Sequence, residues 1–250
     1  MHASSARGAV AGAAGPDPVP PVGADRYVLP RLPTLVPHRP QAASLAEKAY
    51  YLIRDAIIRL ELPPGGTVNE RTLMDELDVG RTPIREALHR LADQRLVEIV
   101  PRRGIFVTHI DLRDLGAISE VRTRLEGYAG RLAADRATAD ERARADELLA
   151  HVTARHPRAD QTELIELDQL VHRHVHRCTH NAYLQATLEE YFVLSLRLWF
   201  LVLDRIERLE PAVQEHRKLL AAVRDGDPDT AEQVLQAHIT GFEQEIRRAL

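Results

Sequence analysis

The sequence predicts a mainly α protein in two parts: three short helices closed by a β-hairpin, then an all-α helical bundle of about six helices. Three observations predict it. Apolar residues recur at three- and four-residue steps from residue 44 onward. A pair of β-prone runs, Leu96 to Val100 and Ile105 to Thr108, interrupts them. Charge also divides unevenly: residues 44–110 carry ten basic and ten acidic side chains, while 111–250 carry nineteen and twenty-five.

Ahead of both parts, residues 1–43 hold eight of the fifteen prolines and no periodicity, the composition of a disordered tail. The predicted domains are then 44–110 and 111–250. A formal charge of −4 over 250 residues excludes a wholly basic coat protein, so any contact with nucleic acid must come from a local patch. Residues 81–103 supply one, with six arginines against three acids. The single cysteine, Cys178, cannot form an intrachain disulfide, and the first residues lack the charged start and apolar run of a leader; a cytoplasmic location is expected. The most apolar stretch, Tyr191 to Leu203, is interrupted by Arg197 and is shorter than the roughly 20 residues a membrane span needs, which argues against a membrane protein.

Within 44–61, Leu45, Ala49, Ile53, Ala56 and Leu60 form a helical stripe behind Ser44, a candidate N-cap. Pro63-Pro64-Gly65-Gly66 must end that helix. Asn69 can cap a short second helix with Leu73, Met74 and Leu77 inward. After the turn Asp78-Val79-Gly80, Pro83 is tolerated in the first turn of a third helix that runs to about Gln94. That helix buries Ile84, Ala87, Leu88 and Leu91 and leaves Arg81, Arg85 and His89 on the opposite side. The β-prone runs then read as a hairpin with Pro101-Arg102-Arg103-Gly104 at its tip.

Three short helices and a basic hairpin make a winged helix-turn-helix. An arginine stripe at a helix start can enter a major groove, where the guanidinium fork donates two hydrogen bonds to a guanine edge. On their own, Arg85 and Glu86 would only solvate a surface helix; the adjacent basic hairpin favours DNA. The run Val79-Gly80-Arg81-Thr82-Pro83-Ile84-Arg85-Glu86-Ala87-Leu88, between Pro63-Pro64-Gly65 and Pro101-Arg102-Arg103-Gly104, resembles the DNA-binding domain of GntR-family transcription regulators. By this resemblance Arg71, Arg81 and Arg85 contact bases or phosphates, Thr82 lies nearby, and Gly104 at the wing tip approaches the minor groove; Arg102 and Arg103 of the basic tip are expected to bind DNA beside it. Two positions depart from the family pattern. Gly80 replaces the usual Ser or Thr at the helix start, and Glu61 or Leu62 stands where a Gly usually follows the first helix.

From Leu112 onward, helical periodicity breaks at Thr138, His156-Pro157, His180-Asn181, Glu210-Pro211 and Asp225-Gly226-Asp227-Pro228. Polar residues intrude on the apolar stripes: Arg122 among Leu115, Ile118, Leu125, Ala129 and Leu132; Asp168 and His172 beside Leu164, Val171, Val175 and Cys178; His216 among Val213, Leu220 and Val223; His238 among Leu235, Phe242 and Ile246. A buried charge is costly unless paired or bound to metal. Asp168 and His172, at i and i+4, share one helix face, and His216 and His238 can add two ligands, a set suited to a divalent Zn, Ni, Mn or Fe ion. The competing reading has ordinary core histidines and an Asp168–Arg122 pair. Helix geometry turns His174 and His180 outward as surface residues and leaves His176 undecided.

The region 111–249 also resembles the all-helical FCD effector domain of the FadR-type branch of the same family, through Glu120-Val121-Arg122, Leu125-Glu126, Asp168 with His172, Glu215-His216, and His238. The resemblance implies a divalent metal on Asp168, His172, His216 and His238, open positions for water or a small organic acid, and Arg122 as a partner for that acid's carboxylate. It further implies a homodimeric, metabolite-responsive repressor on a double-stranded DNA operator, not an enzyme. The apolar face of Tyr191, Leu194, Leu198, Trp199 and Val202 reads either as core or as core shared with a dimer interface. Two rivals remain: a metal-dependent hydrolase on a helical bundle, which lacks a His-Glu-x-x-His motif and any activated Ser or Cys nucleophile, and a metal-free dimerisation module.

Overall fold

The computed structural model describes residues 44–154, 161–205 and 210–249 of the chain; the tail expected at 1–43 and the break expected at His156-Pro157 lie outside them. Helix α1 (Leu45–Ile58) begins at Ser44, whose side chain accepts from the Glu47 amide. It stops earlier than its apolar stripe suggests, because Leu60 takes a left-handed φ of 62°. That left-handed residue stands just ahead of Glu61 and Leu62, where the family pattern has a glycine. Strand β1 (Thr67–Val68) precedes α2 (Glu70–Leu77), which Asn69 caps through the amides of Arg71 and Thr72. Helix α3 (Arg81–Asp93) starts at Gly80 with no side-chain cap.

Strands β2 (Val97–Val100) and β3 (Gly104–Val107) form the hairpin, and β1 pairs with the other edge of β3 to give an antiparallel sheet of order β1-β3-β2. The sequence reading missed β1, a strand of two residues without a periodicity of its own. Its approach depends on Gly65 at φ 76°, where an added Cβ would lie 2.5 Å from the His109 ring. The head is therefore a winged helix-turn-helix, with Ile53, Ile57, Ile84, Leu88, Leu91 and Leu96 fully buried.

Helix α4 (Leu112–Arg136) leads into α5 (Ala139–Ala154), α6 (Gln161–Cys178), α7 (Ala182–Val202), a short 3-10 turn (Leu203–Arg205), α8 (Glu210–Asp225) and α9 (Pro228–Ala249). Helix α6 packs against α4, α5, α7 and α8. Surrounded in this way, a helix is buried on nearly every face. Leu198, Trp199 and Val202 of α7 are buried and join the cluster that contains the apolar core of the head, while Tyr191 and Leu194 are half-buried. Leu198, Trp199 and Val202 are thus core within one chain, whereas Tyr191 and Leu194 keep part of their surface open. Among the described residues no helix is long and apolar enough to cross a membrane.

Candidate metal centre and nucleic-acid interface

Helix α6 places Asp168 and His172 one turn apart, while α8 and α9 bring His216 and His238 against them; the side chain of Val213 lies outside the described set. All four are at most 5% exposed. The Nε2 atoms of His216, His172 and His238 lie 3.1, 3.6 and 3.6 Å from Oδ1 of Asp168. A divalent ion with ligand bonds near 2.1 Å keeps neighbouring ligand atoms about 3.0–3.4 Å apart, so this spacing suits one. Asp168 Oδ1 and His216 Nε2 are buried without a hydrogen-bond partner, although only 3.1 Å separates them. Lone pairs facing one point fit a cation, and the imidazole and carboxylate donors fit a borderline divalent metal.

The outward ring nitrogens are held as well. Nδ1 of His172 lies 3.2 Å from Oε2 of Glu126, and Nδ1 of His238 lies 2.8 Å from Oε2 of Glu215. Carboxylates in this position fix the tautomer and would aim Nε2 at a bound ion. The sequence reading assigned neither role. For Glu126 a signal existed, since it lies four residues after Arg122 on the same inward face; Glu215 acts on His238 across a helix pair, which periodicity does not report.

Glu126 is fully buried and joins the centre to Arg122. It accepts from Arg122 Nη2 at 2.7 Å and lies 2.9 Å from His176 Nε2, while Arg122 Nη1 donates to Ser195 Oγ at 2.8 Å. Arg122 therefore pairs with Glu126, not with Asp168. His176 is buried and forms a second possible ligand group with Glu126 and His172. His174 corrects the expectation of a surface residue: it is 2% exposed, 3.5 Å from Cys178 Sγ, because α6 has neighbours on this side too. Burial pushes the Cys178 thiol up to about 12. His180 is exposed as expected and meets Glu141 at 2.9 Å.

Burial disfavours every charge here, and the neighbours decide which survive. It pushes His172 down to about 4 and lowers His216. Burial opposes charge on His238 too, but the Asp168 and Glu215 carboxylates outweigh it and raise the ring to about 9. Burial would raise Asp168, yet the rings of His172, His216 and His238 hold it well below the usual carboxylate range.

On the head, Arg71, Arg81, Thr82, Arg85, Arg102, Arg103 and Gly104 are all exposed. Arg85, His89, Arg102 and Gly104 line one groove of about 200 Å³ between α3 and the wing. Arg71, Arg81, Thr82 and Arg103 do not line it. Glu70, unremarked in the sequence, also lines the groove and sits 3.7 Å from Arg85, whose side chain is 60% exposed. Such a pair is loose and easily exchanged for a phosphate or base. Left-handed Arg102 at φ 64° and Gly104 at φ 114° shape the wing tip.

An exposed arginine helix beside a basic wing, joined to a bundle with polar groups inside, defines a DNA-binding regulator. Residues 45–107 match the family described as bacterial regulatory proteins, gntR family, and residues 117–241 match the FCD domain; the chain belongs to the FCD branch of the GntR family. It is 23% identical over 202 residues to the HTH-type transcriptional repressor RspR of Escherichia coli strain K12, covering 81% of this chain and 89% of that protein. It is 29% identical over 197 residues to a probable D-xylose utilization operon transcriptional repressor of Paenarthrobacter nicotinovorans, covering 76% and 85%. The structure of E. coli McbR/YncC superposes with a TM-score of 0.73 at 22% identity, covering 82% of this chain and 98% of that one, which shows the shared fold. Family and relatives are DNA-binding transcription regulators and not enzymes, so the hydrolase reading falls away.

Proposed function

We propose that the chain is a homodimeric, metabolite-responsive repressor whose operator affinity changes when a small carboxylate binds at the metal-holding pocket of the FCD domain. The observation that carries this reading is the convergence of Asp168, His172, His216 and His238 ligand atoms within 4.8 Å of one another, deep in the bundle. A divalent ion there would supply a Lewis-acidic anchor for the acid; Arg122, held by Glu126 and Ser195, would exchange part of that pairing to meet the acid's carboxylate. Arg81 and Arg85 would read bases, while Arg71, Thr82, Arg102, Arg103 and Gly104 would hold backbone and minor groove. Two heads must match half-sites about one DNA turn apart.

A physical route between the sites supports the coupling. Gln169, next to Asp168, accepts from Arg173 at 2.8 Å; Arg173 donates to Glu189 at 2.9 and 3.0 Å; and Glu189 accepts from Arg54 of α1 at 3.2 Å. Displacement of α6 by an acid at its ligands is thereby felt by the first helix of the head. The test is His216→Ala: metal occupancy and release of operator by the acid are lost, while non-specific DNA binding survives. Unchanged metal stoichiometry in that variant would show the ligand set to be wrong.

A further inference from the structure

Arg197 breaks the most apolar run of the chain and is 3% exposed on α7. Its Nη1 and Nη2 donate to Oγ1 and the carbonyl of Thr108 at 2.9 and 2.8 Å, both neutral acceptors, and its Nε is buried without a partner. Buried Arg54, Arg122 and Arg173 each meet a carboxylate; among the described residues Arg197 forms no ion pair. Burial lowers its guanidinium to about 10, which leaves it a cation at neutral pH. A buried cation without an anion is costly to keep.

Arg197 lines an open cleft of about 400 Å³ between the end of the wing, the start of α4 and the face of α7. Ile118, Val121, Tyr191, Leu194 and Leu198 provide apolar walls, and the volume falls in the range of small-molecule sites. Other charged groups on the lining are Arg95, His109, Asp111 and Asp114, of which Asp111 is already engaged by Arg113 at 2.6 Å. None of the candidate metal ligands lines it.

We propose that this interdomain cleft is a second ligand site, for a small monocarboxylate with an apolar body, its carboxylate paired with the Arg197 guanidinium and its chain lying against Ile118, Val121 and Leu194. The position gives the ligand a direct hold on the head. Thr108, which Arg197 grips, donates through its hydroxyl to the carbonyls of Arg95 at 2.8 Å and Leu96 at 3.2 Å, the link from α3 into β2. An acid that draws the guanidinium toward itself loosens or shifts that link, and so adjusts the wing independently of the metal centre.

The experiment is calorimetric titration of the full chain with octanoate and, separately, with octanol, in the presence of a chelator. Saturable binding of octanoate but not octanol is expected. Arg197→Gln weakens it at least tenfold, with or without the chelator. Should Arg197→Gln fail to fold, Ala117→Phe fills the cleft from an exposed position, keeps Arg197 and also abolishes binding. No saturable binding of octanoate, equal binding of octanol, indifference to the cleft variant that folds, or binding seen only when the chelator is left out would overturn the proposal, the last by placing the acid at the metal centre.

Discussion

The two domains handle charge in opposite ways. In the head the interior is apolar apart from Arg54 and its neighbour Asp55, and the arginines of α3 and the wing stand in solvent. In the bundle, Arg122, Glu126, Asp168, His172, His176, His216 and His238 are all inside. A DNA-reading surface needs cations that are free to meet phosphates and base edges, where exposure costs little. A small-molecule pocket needs charge held dry and pre-aimed, at a desolvation cost that partners must offset. Arg54 is the instructive exception: it belongs to α1, is 1% exposed, and finds Glu189 in the other domain. This buried charge of the head, bonded to a carboxylate of the bundle, is thus a joint between domains.

If the bundle's interior is a mutually dependent network, its centre is the place to break it. Glu126→Ala removes the shared acceptor of Arg122, His172 and His176 and leaves a buried guanidinium unpaired; about 3–5 kcal/mol of stability should be lost in urea unfolding. On the head, by contrast, Arg85→Ala should leave stability and metal content alone. It should cost about 1–3 kcal/mol, roughly 5- to 150-fold, in specific operator affinity, checked by competition against non-cognate DNA. A large stability loss in Arg85→Ala would erase the contrast between the two domains.

The contrast sharpens with pH. In metal-free protein His172, pushed down to about 4, stays neutral when folded, so stability falls as pH drops from about 6.5, the ordinary histidine value, toward 4. His238, raised to about 9, stabilises below its unfolded value, and that contribution is lost as pH rises from about 6.5 through 9. Thermal unfolding with chelator present should therefore peak near pH 6.5 for this cluster, and His238→Gln should remove the alkaline fall. Metal binding at pH 7 should expel the His238 proton, seen as a dependence of binding heat on buffer ionisation. The smallest effect lies back on the head: Gly80→Ser, at a position where an added Cβ meets nothing within 4 Å, should add a cap worth a few tenths of a kcal/mol.

Much of this was legible in the residues, for identifiable reasons. Ser44 and Asn69 act as the caps that their chemistry suggests, and the four candidate ligands stand on the faces that 3.6-residue periodicity gives them. Strand β1 was not legible because it forms only where β3 offers a free edge. The inward position of His174 was missed because a one-sided stripe assumes one buried face, and α6 has neighbours on several. Glu215 was missed because its partner lies 23 residues away on another helix. Nor does the sequence report that Arg122 is already satisfied by Glu126, or that Arg197 meets no carboxylate among the described residues; both depend on how α4, α6 and α7 meet.

The most direct test of the central claim is operator binding to the chain's own upstream region, titrated with small carboxylates with and without chelator. The account predicts release by at least one acid, abolished or strongly weakened when the metal is removed. Specific binding that no acid alters in either condition would contradict coupling between the buried centre and the head.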